Sequence, residues 1–117
     1  MTDTTAAFFH DLGRRGHERS LEKATGTIKV ELSNGGRPDR WLVTLDHGDV
    51  VVSHRGGSAD CTLATTGELF DEVVRGEANA MAAVMRGSID VAGSWELLVL
   101  FQRLFPGPGS ADEGSVR

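Results

Sequence analysis

The sequence predicts an α+β fold, a five-stranded and mostly antiparallel sheet with helices covering one face. Three observations predict it. Segments of period two come as a run of four antiparallel-type strands between residues 27 and 64. The period changes to 3.6 at Thr65-Thr66-Gly67-Glu68. Residues 86–105 then read as a turn, a fifth strand and a helix that is apolar around most of its circumference.

Taken in order, Thr2-Asp3-Thr4 offers cap residues, and Phe8, Phe9 and Leu12 make one apolar patch on a short helix that Gly13 ends. The adjacent Phe8 and Phe9 should pack on the sheet or form a mobile flap over something apolar. A further turn or two of helix is expected over residues 20–24, with Leu21 and Ala24 inward. Residues 27–32 alternate, with Ile28, Val30 and Leu32 on one face and Lys29 and Glu31 on the other. Ser33-Asn34-Gly35-Gly36-Arg37-Pro38-Asp39 is a loop. Strands over residues 41–45 and 50–54 flank the hairpin turn Asp46-His47-Gly48-Asp49. The loop Arg55-Gly56-Gly57-Ser58-Ala59 leads to a strand over residues 60–64, with Cys61 and Leu63 on one face. Thr65 and Glu68 fit a capping box for a helix that stops at Gly76 and buries Leu69, Phe70, Val73 and Val74. Asn79 caps the next helix, with the arc Ala80, Met81, Val84 and Met85. Ile89 and Val91 share one face of the fifth strand, and Ser94 caps the last helix. One domain over residues 1–106 and a disordered tail over residues 107–117 follow from this reading.

Composition narrows the function. The net charge is -5, and the ten Arg and two Lys are spread along the chain, so nucleic acid is excluded as the main partner. Cys61 is the only cysteine, which rules out an intrachain disulfide. No long apolar run marks a leader or a stable membrane anchor, and Ser115-Val116-Arg117 matches no receptor-read address, so a cytoplasmic location is expected. The histidines His10, His17, His47 and His54 form no metal-binding pair, and no Ser sits in a nucleophile elbow. Neither a catalytic site, a metal nor a cofactor is expected. Asp60 and Asp90 read as solubilising residues, and Glu68, Asp71, Glu72 and Glu77 as the wet side of a helix pair. What stands out is an excess of apolar side chains on helices, including Phe8, Phe9, Phe70, Met81, Met85, Leu97, Leu98, Phe101 and Phe105.

A family resemblance fits this pattern over residues 8–106. Its carriers are Gly26-Thr27-Ile28-Lys29-Val30, Trp41-Leu42-Val43, Leu45-Asp46-His47-Gly48 and Ala59-Asp60-Cys61-Thr62-Leu63. Arg75-Gly76-Glu77-Ala78-Asn79, Met85-Arg86-Gly87-Ser88-Ile89-Asp90-Val91-Ala92-Gly93 and residues 98–105 continue it. In these the chain resembles the sterol carrier protein family, the small type-two sterol carrier domain, as a stand-alone, bacterial-like member. Ser94 is a departure, because relatives commonly carry Asp after the glycine; both residues cap helices. The resemblance implies a non-enzymatic protein that binds, transfers or presents a fatty acid, acyl-CoA or sterol in a hydrophobic tunnel. It implies that Phe70, Val73, Val74, Met81, Val84, Met85, Leu97, Leu98, Phe101 and Leu104 line that tunnel. The family also includes accessory factors of lipophilic quinone synthesis. The alternative expectation is therefore an accessory module whose last helix docks on a second copy or on an enzyme partner.

Energetics constrain the tunnel. An acyl-sized void of about 300 Å³, at about 24 cal/mol per Å³, would cost roughly 7 kcal/mol. That rivals the roughly 5–15 kcal/mol stability of a whole domain. The cavity should therefore be filled by lipid or partly collapsed when empty.

Overall fold

In the computed structural model, residues 3–36, 38–54 and 57–105 are described. The cap at Thr2, the loop positions Arg37, Arg55 and Gly56, and the tail over residues 107–117 lie outside them. Five strands form one sheet in the order β3-β2-β1-β4-β5. The strands β1 (Thr25–Ser33), β2 (Asp39–Asp46) and β3 (Asp49–Ser53) make an antiparallel meander. β4 (Cys61–Thr66) runs parallel to β1 on its other side, and β5 (Asp90–Gly93) runs antiparallel to β4. The sheet is thus mixed, and the expected run of four antiparallel strands breaks at β4. Residues 54–60 are too long for a tight hairpin. The backbone N–H of Asp60 donates to the Thr27 carbonyl at 3.0 Å and docks the incoming chain on β1 instead of β3.

Alternation decides which face is covered. Val30 pairs with Trp41 on one side and Leu63 on the other, and Ile28 pairs with Val43 and Cys61. These inward residues are all buried, whereas Lys29, Glu31, Thr44 and Asp90 point away from the core. The helices lie over the inward face. They are α1 (Asp3–Arg15), α2 (Gly67–Val74), α3 (Ala80–Met85) and α4 (Trp95–Phe101). A 3₁₀ turn at Arg19–Leu21 precedes β1, shorter than the helix expected there, and buries Leu21 with Ala24 behind it.

α1 does not stop at Gly13. It continues to Arg15 and ends at Gly16, whose φ is +68°. Gly13 faces Val52 of β3, where even a Cβ would make ordinary contact at 3.5 Å, so it neither ends the helix nor is required by the packing. Phe9 and Leu12 are fully buried and Phe8 half-buried; Phe9 stacks on Trp41 of the sheet, whereas Phe8 packs against Phe70 and Phe105.

Asn79 and Ser94 cap α3 and α4, accepting from the N–H groups of Ala82 at 2.9 Å and Leu97 at 3.2 Å. The α2 cap is Thr66, one residue later than expected. It accepts from Leu69 N–H at 3.1 Å. Thr65 is still held in the ladder opposite Leu32, because β4 stays paired with β1 to its end. α4 covers less of its apolar circumference than expected. Trp95 is 51% and Val99 40% exposed, and the chain tightens into a 3₁₀ turn at Gln102–Leu104.

Candidate functional site

Between the sheet and helices α2, α3 and α4 lies an enclosed apolar slot. Leu63 and Thr65 of β4 form its floor. Phe70 and Val73 of α2 form one wall, and Ala80 and Val84 of α3 with Leu98 of α4 the other. Ile89 and Phe105 complete the lining. Thr65 is the one polar residue of the nine, and its hydroxyl donates to the Ser88 carbonyl at 2.9 Å. The slot contains no charged side chain. Its open volume is about 10 Å³, which is at the lower limit for one water molecule and far below an acyl-sized void.

Aromatic rings account for much of the closure. Phe105 meets Phe70 edge-on at 5.7 Å and Phe101 edge-on at 5.3 Å, and stacks on Phe8 at 5.2 Å. Phe70 stacks on Phe9 at 5.6 Å, Phe9 on Trp41 at 4.5 Å, and the His54 ring tilts against Trp41 at 4.0 Å. A continuous column of rings thus runs from β3 to the slot.

The ten lipid-facing positions expected from sequence separate into groups. Phe70, Val73, Val84 and Leu98 line the slot. Val74, Met81 and Leu104 are half-buried against the surrounding core. Phe101 is fully buried behind Phe105. Leu97 is buried at the opposite end of α4, close to Gly26 and Asp60. Met85 is 81% exposed, which corrects its expected inward position. The six-residue α3 buries only its small residues Ala80 and Ala83, and Met85 falls on its outer side. Sequence reasoning left out Leu63, Thr65, Ala80, Ile89 and Phe105. Period-two alternation carried the signal for Leu63 and Ile89, and the i, i+4 spacing from Phe101 carried it for Phe105.

Two acidic residues read as solvated do structural work. Asp71 is 5% exposed, because α1 covers that side of α2, and the Thr5 hydroxyl donates to its Oδ1. Asp60 Oδ2 accepts from Thr27 N–H at 2.9 Å, and its carbonyl accepts from Ser94 N–H at 2.7 Å, tying β1 to the start of α4. The Cys61 thiol is buried in the sheet, and burial pushes its pKa up. His47 sits against Asp46, and His54 against the Arg40 carbonyl. Among the described residues no cluster could hold a metal ion, and no helix is long and apolar enough to cross a membrane.

The SCP-2 sterol transfer family matches residues 9–106. A fatty acid-binding protein of Yarrowia lipolytica is 33% identical over 79 residues, which cover 64% of this chain and 61% of that protein. The match therefore spans about three-fifths of that relative's length. Among solved structures, the apo form of sterol carrier protein 2 from Yarrowia lipolytica superposes with a TM-score of 0.66 at 25% identity, covering 84% of each chain. The sterol carrier protein domain 2 of Helicoverpa armigera superposes with a TM-score of 0.71 at 20% identity, covering 86% of this chain and 84% of that one.

Proposed function

We propose, because the chain belongs to the SCP-2 sterol transfer family, that it binds the hydrocarbon part of a lipid between its sheet and helices α2, α3 and α4. The observation that carries this reading is the slot: an enclosed space lined by apolar side chains and one hydroxyl, with no group suited to chemistry on a ligand. The protein acts as a carrier or presenter and not as an enzyme. A single fatty acyl chain is the favoured ligand. The Yarrowia lipolytica relative bears the name of a fatty acid-binding protein, and a narrow slot opens for a flexible chain with less repacking than for a rigid ring system.

Binding starts from the closed form. An empty acyl-sized cavity would cost roughly 7 kcal/mol, and the slot is instead closed to about 10 Å³, with Phe70 and Phe105 in its lining. An incoming chain displaces them and gains about 0.8 kcal/mol for each CH₂ removed from water. Thermal unfolding with saturated fatty acids of eight to eighteen carbons tests this. The midpoint should rise steadily with chain length at equal free ligand concentration. A flat series would overturn the proposal.

A second reading rests on α4. Trp95 and Val99 are one helical turn apart and both exposed, as a docking helix requires. Light scattering across a concentration range separates the two. A stable dimer that Trp95→Ser dissolves, in a protein that takes up no fatty acid, favours docking.

A further inference from the structure

The outer side of α4 carries a pattern that lipid binding does not use. Leu98 lines the slot, whereas Glu96, Val99, Leu100 and Arg103 line one open groove together with Lys23. Glu96 and Arg103 lie about two turns apart and share a line along α4 and the 3₁₀ turn that extends it. Val99 and Leu100 sit midway between them. Glu96, Val99 and Arg103 are exposed, Leu100 is half-buried, and Trp95, one turn before Val99, is exposed too.

The charges of this groove have no partners within the molecule. Glu96, Arg103 and Lys23 join no ion pair among the described residues. Arg14, Arg15, Arg40 and Arg75, by contrast, each meet a carboxylate.

The order of acid, two apolar residues and base is self-complementary. In an antiparallel second copy, related by a two-fold axis between Val99 and Leu100, Glu96 of each chain faces Arg103 of the other. Val99 of each chain then meets Leu100 of the other, between the two ion pairs. A parallel arrangement would set like charges against each other. A lipid surface presents one sign of charge and would oppose either Glu96 or the two cations. A second copy satisfies both signs, and a carboxylate arriving in this groove meets Lys23 as well as Arg103.

We infer that α4 is a dimerisation helix, through which two copies of this chain associate antiparallel by reciprocal Glu96–Arg103 ion pairs around Val99 and Leu100. The contact centres on one short helix, so the dimer is a reversible one. The slot stays on the inner side of α4, so dimer and lipid site coexist. The inference goes beyond the carrier reading and does not depend on it.

Sedimentation velocity over a range of concentrations, with charge-swapped variants, tests this. The wild type should pass from monomer to dimer as its concentration rises. Glu96→Arg leaves two cations on this line of the helix, and Arg103→Glu leaves two carboxylates. Each variant alone should weaken dimerisation at least about tenfold. An equal mixture of the two should regain it, as a heterodimer in which every cation again faces a carboxylate. Both positions are exposed, and cooperative melting of each variant shows that it folds. A wild type that stays monomeric, a dimer that persists in either variant, or a mixture no more associated than its components would overturn the α4 dimer. Thermal unfolding with hexadecanoate keeps this separate from the carrier reading, because it should stabilise the wild type and both variants alike. A wild type that dimerises but gains no stability from hexadecanoate would overturn the carrier reading and leave the dimer standing.

Discussion

At the scale of single residues, the strongest constraints are contacts between parts of the chain that are distant in sequence. Gly93 has a φ of +96°, and a Cβ there would lie 2.1 Å from the Asp60 carbonyl oxygen. That oxygen is the acceptor for Ser94 N–H, so it cannot move away without breaking the start of α4. Gly93→Ala should cost about 3 kcal/mol or more, read as a lowered urea midpoint. A loss below about 1 kcal/mol would mean that the backbone relaxes there. His17 gives a pH signature. Its Nδ1 lies 2.9 Å from Asp49 and its Nε2 3.1 Å from Glu22, and these two carboxylates, Asp49 foremost, raise its pKa above the ordinary 6.5. The unfolded chain keeps the ordinary value. The stabilisation from His17 is therefore complete below pH 6.5 and is lost as pH rises through the folded value. The melting difference between wild type and His17→Gln should shrink from pH 6 to pH 8. A difference constant across that range would show that the ring carries no extra charge in the fold. Local chemistry made the caps Asn79 and Ser94 legible in the sequence. The partners of Asp60 and Asp71 were not legible, because they lie 33 and 66 residues away.

At the scale of elements, periodicity located every strand and helix, and it erred where tertiary contact overrides a local signal. Gly13 reads as a stop, yet α1 runs through it to Arg15 along its contact with β3. Thr65 reads as a cap and is retained by strand pairing. The parallel placement of β4 beside β1 has no marker in the strand's own residues; the loop length alone carried a hint. The α1–α2 contact was equally hidden, and it contains the buried pair of Thr5 and Asp71. This pair fixes α1, and with it Phe8 and Phe9, over the slot. Thr5→Val keeps the side-chain shape and removes the hydroxyl that donates to Asp71 Oδ1 across the two helices. We expect a loss of about 1–2 kcal/mol by chemical denaturation, with Thr5→Ser close to wild type. Equal stability of the valine and serine variants would show that packing, and not the hydrogen bond, joins the two helices.

At the scale of the whole molecule, the slot was legible as a collective apolar excess and not as a set of positions. Helical spacing identified Phe70, Val73, Val84 and Leu98, but it cannot tell an arc that faces the slot from one that faces another part of the core, as with Leu97 and Phe101. Met85 shows the same limit on the solvent side. The closed state has a consequence that spans the molecule. Phe70 lines the slot and stacks on Phe9, which stacks on Trp41, so a ligand that displaces Phe70 disturbs the surroundings of a tryptophan on the sheet. The chain has two tryptophans, and Trp95 is half-exposed, so Trp95→Phe should leave stability within about 0.5 kcal/mol and isolate the signal of Trp41. In that variant, saturating hexadecanoate should change the Trp41 emission. Adding Phe9→Leu, which interrupts the column, should suppress the change while native mass spectrometry still detects the bound lipid. Unchanged Trp41 emission with lipid bound would show that Phe70 stays in place and that other lining residues make way for the chain.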